Sequence, residues 1–119
     1  MMDSIILSMA RKVIGGYLNA SEHQNKEDAS IILSNRLDEA VFDLNIHKTM
    51  VRAINKLKES GAEICDLNVL SFLERHGIPR NINEENEILA VISEYAITPK
   101  SFQNYTQELR MHRASKVAI

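Results

Sequence analysis

The stretch Asn45–Gly61, NIHKTMVRAINKLKESG, decides the fold class. Ile46, Met50, Val51, Ile54 and Leu57 fall on one side of a helix, and Arg52, Asn55, Lys56, Lys58 and Glu59 on the other. Recurrence of apolar residues every three to four positions is the α-helical period, whereas a strand would alternate every second residue. Lys56 and Lys58 suit the negative end of the helix dipole, and Gly61 suits the residue just past its end. An amphipathic helix of this kind is stable only when its stripe is buried against other elements, so the flanking segments must supply partners.

They supply more helices. Upstream, Ile6, Met9, Val13 and Tyr17 recur on one face of a helix expected from about Ser4 to Asn19. Gly15 and Gly16 sit inside it, each costing on the order of 1 kcal/mol relative to alanine. They either let a neighbouring helix approach closely or mark a kink. After a polar loop from Ala20 to Asn25, a second helix is expected over about Lys26–Asn35 with Ile31, Ile32 and Leu33. Leu37–Phe42 reads as a turn or helical stub. Downstream, Cys65 or Asp66 opens a fourth helix that buries Leu67, Leu70, Leu73 and Val69. His76-Gly77-Ile78-Pro79 stops it, with His76 as a cation at the helix end. A fifth helix begins near Asn83 with Glu84 and Glu85 in its first turn, and Ile88, Leu89, Ile92 and Tyr95 mark its buried face. Thr98-Pro99 caps and opens a sixth helix, whose stripe is Phe102, Tyr105 and Leu109. The stripe resumes in Val117-Ala118-Ile119, and the natural chain is expected to continue past it. The sequence therefore predicts an all-α fold of about six helices: a helical globule over about 4–80, then a C-terminal helical hairpin over about 82–119.

The composition agrees. The chain has 119 residues, 45% of them hydrophobic and 25% charged, enough for one domain with a real core and too apolar for a disordered tail. A formal charge of −2 gives no reason for strong whole-chain attraction to nucleic acid or anionic lipid. The single cysteine, Cys65, excludes an internal disulfide framework and fits a reducing compartment. No apolar run reaches the length of a membrane span, and Asp3 stands where a secretion signal would be basic, so the expected address is cytoplasmic with no membrane partner.

Catalytic chemistry is hard to find. No G-x-x-x-x-G-K-[ST] string exists in the chain. His23, His47, His76 and His112 have no spacing that suggests a zinc site, and Cys65 has no C-x-x-C partner. A His47–Cys65–Asp66 nucleophilic arrangement would be written into the sequence by no recognisable motif, and His47 reads instead as packed or capping. The only locally basic segment is the sixth helix, with Lys100, Arg110, Arg113 and Lys116 against Glu108; without interleaved aromatics it reads as a solvated face, giving at most weak DNA contact. No catalytic, metal-binding or cofactor-binding residue is assigned.

The order of the segments resembles the N-terminal domain of the bacterial replicative DNA helicases, the DnaB family. Val13-Ile14-Gly15-Gly16-Tyr17-Leu18 is similar to that family's V-L-G-[GA]-x-[LM] helix. His47-x-x-Met50-Val51-x-x-Ile54-x-x-Leu57 resembles its H-x-x-I-F-x-x-[MI]-x-x-L helix. Gly61-Ala62-Glu63-Ile64, then Leu70-x-x-Leu73-Glu74-Arg75-x-Gly77, resembles the segment that follows, and Thr98-Pro99 with Tyr105-x-x-x-Leu109-Arg110 resembles the last turn and helix. The similarity runs from about Ile6 to Ala118. Ala10, Glu63, Cys65, Asn68 and Asn83-Glu84-Glu85-Asn86 depart from the family pattern, as in a divergent or phage-type member.

The resemblance implies a non-catalytic collar domain that self-associates as a dimer or hexamer and receives primase or a helicase loader during DNA replication. ATP and Mg would belong to a motor domain further along the parent chain, not to these residues. The expected dimer interface is the apolar face of the hairpin: Ile88, Leu89, Val91, Ile92, Tyr95, Phe102, Tyr105 and Leu109. The alternative is a stand-alone helical adaptor or loader-like protein with no motor domain.

Overall fold

A computed structural model describes residues 4–117 of the chain. Among them are six α-helices and no strand: α1 (Ser4–Leu18), α2 (Lys26–Ser34), α3 (Asn45–Glu59), α4 (Asp66–Arg75), α5 (Ile82–Ile92) and α6 (Pro99–Val117). Single 3-10 turns at Ala20–Glu22 and Glu39–Val41 link the early helices. Ala118 and Ile119, which carry the resumption of the last stripe, lie outside the described residues, as does the side chain of Lys116 in the basic face.

The helix ends follow from local chemistry. Asn25 Oδ1 accepts from the amides of Glu27 and Asp28, Asn81 Oδ1 from Glu84 and Thr98 Oγ1 from Ser101, so α2, α5 and α6 each begin with a side chain satisfying orphan N–H groups. α3 and α4 end alike. Gly61 and Gly77 take φ of 77° and 74°, and the residues after them, Ala62 and Ile78, donate back to Leu57 and Leu73 at 3.0 and 2.9 Å. Glycine is required there because L side chains rarely adopt that left-handed conformation.

α1 is the centre of the molecule. Val13, Ile14 and Tyr17 are fully buried, and α1 packs on α3, α5 and α6. The C-terminal pair packs on it as well. α5 and α6 follow one another through the short connection 93–98, but each makes its main contacts with α1: α5 also touches α3, and α6 also touches α2 and the 39–41 turn. Ile88, Val91, Phe102 and Leu109 consequently belong to the same core as Val13, Met50 and Leu73. The cause is the glycine pair. A Cβ on Gly15 would collide with the Val91 carbonyl oxygen and lie 2.6 Å from Glu94 Cβ; one on Gly16 would lie 2.8 Å from Ile97 Cγ1. Two missing side chains let the end of α5 and its connection settle directly on the α1 backbone. The close-approach reading of the glycines holds.

Individual stripes shift by a position or two. Leu67 is exposed and Leu70 half-buried, while Val69 and Leu73 are buried as expected. Ile31 is exposed while Ile32 is buried. Asn55, expected on the polar face of α3, is buried and donates from Nδ2 to Leu37 O at 2.9 Å, tying α3 to the 36–38 loop. Lys58 curls back to donate to Leu33 O, Asn35 O and Tyr17 Oη at 2.6, 3.0 and 2.9 Å, capping the end of α2.

Candidate functional site

Three helices bring one charged cluster together. Arg11 of α1 donates to both oxygens of Glu87 on α5, through Nε at 2.8 Å and Nη2 at 2.6 Å. His47, in the first turn of α3, lies with Nε2 2.8 Å from Glu87 Oε2, and the edge of its ring meets Phe42 at 6.2 Å between centroids. The His47 side chain is wholly inaccessible, and its Nδ1 has no hydrogen-bond partner. A neutral imidazole carrying its proton on Nε2 fits this geometry, since it donates to the carboxylate and leaves only a lone pair unmet. A second proton on Nδ1 would be a buried donor with nowhere to go.

The protonation energetics agree. Burial pushes the His47 pKa below its ordinary value, outweighing the hydrogen bond to Glu87 that favours the cation. Burial, the largest single effect on Glu87, pushes its carboxyl up, but the hydrogen bonds from Arg11 and His47 and the Arg11 charge outweigh it and hold the carboxylate below its usual range. The cluster continues along α1: Lys12 pairs with Glu94 at 3.2 Å, and Asn19 Nδ2 donates to Ile92 O and Glu94 O, closing the end of α5. Chemically this is a fastening between α1, α3 and α5.

His47 thus pairs with Glu87, not with Cys65 or Asp66. Cys65 precedes α4 without capping it through its side chain. His76 Nδ1 lies 2.8 Å from Phe72 O and its ring stacks on Phe72 at 4.4 Å, in keeping with a helix-end role. Among the described residues no group of three or more His, Cys, Asp or Glu is placed to hold a metal ion, and no helix is long and apolar enough to cross a membrane.

The residues expected at a dimer interface divide in two. Ile88, Val91, Phe102 and Leu109 are buried within this chain, covered by α1 and its neighbours. Ile92 and Tyr105 are half-buried, while Leu89 and Tyr95 are exposed, Tyr95 by 86%. Tyr95 misses the expected face because α5 stops at Ile92 and the helical period no longer governs its direction. Tyr95 edges an open concavity of about 510 Å³, walled by Glu22, His23, Asp66 and Glu94.

No family model, curated protein or solved structure matches the chain.

Arg11 and Glu87 are the site residues that sequence reading does not reach. They stand 76 positions apart, and no local pattern distinguishes a solvated arginine or glutamate from one that meets a histidine in the core. Asn55 carried a weak signal: a lone amide in a run of charged residues on the polar face of α3.

Proposed function

We propose that this chain is a non-catalytic assembly domain of a replicative DNA helicase, a collar piece that associates with copies of itself and docks primase or a loader. One observation carries the reading: the residues that give the helicase resemblance are those that hold this fold together. Gly15 and Gly16 are the seat of α5 and its connection, His47 fastens α3 to it, Met50, Val51, Ile54 and Leu57 are the buried stripe of α3, and Thr98-Pro99 starts α6. A shared motif made of fold-determining residues is what a divergent member of one fold would keep.

Of the expected face, Leu89 and Tyr95 with the open sides of Ile92 and Tyr105 remain for partners. Calorimetric titration of the chain with purified primase and with purified loader from its own host, together with sedimentation over a concentration series, tests the proposal. Saturable binding or self-association that Tyr95→Ser and Leu89→Ser weaken, with folding unchanged, is expected. A chain that stays monomeric at high micromolar concentration and takes neither protein overturns it.

A further inference from the structure

A second surface lies on α3 and the far end of α4. A groove of about 390 Å³ has Phe72, Leu73 and Ile78 as its floor and Arg52, Lys56, His76 and Arg80 around its rim. Every ionisable side chain that lines it is a base, in a chain whose net charge is −2. The cations already display what they bind. Arg52 grips Glu39 through two hydrogen bonds of 2.9 Å, and Arg80 holds Glu84 through its guanidinium and its amide. Lys56 reaches Glu59 only at 3.9 Å. These carboxylates stand outside the groove, and the side chains of Arg52, Lys56 and Arg80 are themselves 58, 64 and 67% exposed, so water screens their present pairs and a new carboxylate can join or replace the old one at little cost.

We infer that this groove docks an acidic amphipathic segment of a partner protein, its apolar side chain on the Phe72–Ile78 floor and its carboxylates on Arg52, Lys56 and Arg80. Charge complementarity selects the acid, and the arginine forks match a planar carboxylate. Nucleic acid fits less well. A base needs an open aromatic face, but the Phe72 ring is already stacked by His76 and has the Arg75 guanidinium over it at 5.9 Å. The inference does not depend on the helicase reading: it uses a different surface, and any helical adaptor could carry it.

The test uses the 119-residue chain and synthetic probes. A labelled helical peptide of roughly 15 residues, leucine on one face and glutamate on the other, is titrated by fluorescence anisotropy. The same peptide with lysine for glutamate, one with serine for leucine, and a thymidine oligonucleotide are run beside it. The acidic peptide should bind at least about tenfold more tightly than either peptide control and weaken with salt. It should shift the amide resonances of Thr49, Phe72 and Ile78. Lys56→Glu and Arg80→Gln, both at exposed side chains, should each weaken it about tenfold with the circular dichroism unchanged. Equal binding of the basic peptide, shifts that map to Glu22 and Asp66 instead, tighter binding of the oligonucleotide in the groove, or self-association of the chain through it would each overturn the inference.

Discussion

Two arginine–carboxylate contacts of nearly the same geometry do different work in this molecule. At the α1–α5 seam, Arg11 and Glu87 are bonded at 2.6 and 2.8 Å, with Glu87 12% exposed and His47 completely enclosed. At the α3–α4 groove, Arg52 and Glu39 are bonded at 2.9 Å, with their side chains 58% and 42% exposed. Distance alone would rank them together. Surroundings separate them: Arg11 still reaches water at 31% exposure, but Glu87 is shared with a fully enclosed histidine that has no water to replace it, whereas the open pair trades one partner for another. The lesson is that a charge on this surface becomes a fastening or a docking point according to what the backbone lets close over it, and at the seam that is decided by two glycines.

The largest effect should come from filling the seam. Gly15→Ala is expected to destabilise the chain by on the order of 3 kcal/mol, because its Cβ meets the Val91 carbonyl and Glu94, neither of which can retreat without moving the end of α5. Helix propensity alone would give a gain of about 1 kcal/mol, so urea unfolding reads the sign directly. A more stable variant would break the description of the seam. Next comes Glu87→Ala, which strands His47 and Arg11 and should cost about 2 kcal/mol, while Glu39→Ala at the groove should leave the unfolding midpoint unchanged. Equal losses at the two sites would erase the contrast between them.

A smaller effect separates the regions by pH. His47 has a lowered pKa in the fold, so the unfolded chain binds its proton more readily; stability is whole above about pH 6.5 and declines as pH falls toward the folded value. Glu87 is also held low, and its contribution is lost in the same direction at more acid pH, below the ordinary glutamate range near 4.3. The carbon-bound ring proton of His47, followed by NMR, should titrate below pH 6.5, and an ordinary or raised value would contradict the enclosed geometry. Last, Lys56→Glu should change stability by less than about 0.5 kcal/mol, as expected of an exposed groove residue; a large loss would make the groove rim part of the fold's support.

Helix positions are legible in the sequence because they rest on local rules: period, caps and the glycine stops at Gly61 and Gly77. The assembly of the helices is less so. The stripe containing Ile88 and the stripe containing Phe102 announce that each helix has a buried face, but nothing local says that both faces meet α1 before they meet each other. The answer lies in Gly15 and Gly16, whose consequence can be seen only once Val91, Glu94 and Ile97 are set against them. The fastening is harder still, since Arg11, His47 and Glu87 come from three distant segments and each would be ordinary on a solvated face. Leu89 and Tyr95 show the converse limit: apolar identity places a residue in a helical stripe, yet Leu89 remains outside the core and Tyr95 falls beyond the helix end.

The placement of α1 has a consequence for how the chain is made. Of the six described helices, α1 is made before the others yet finds its closest companions in α5 and α6, so its apolar face must wait while α2, α3 and α4 are synthesised. At about 5–20 residues per second, the roughly 80 residues that separate Gly16 from the end of that seam take several seconds to appear. During that interval Val13, Ile14 and Tyr17 lack their final cover, and a chain stalled after α4 would display them. Vectorial synthesis therefore delivers this domain in a sticky intermediate form, and its burial is completed by the arrival of Phe102 and Leu109 with α6.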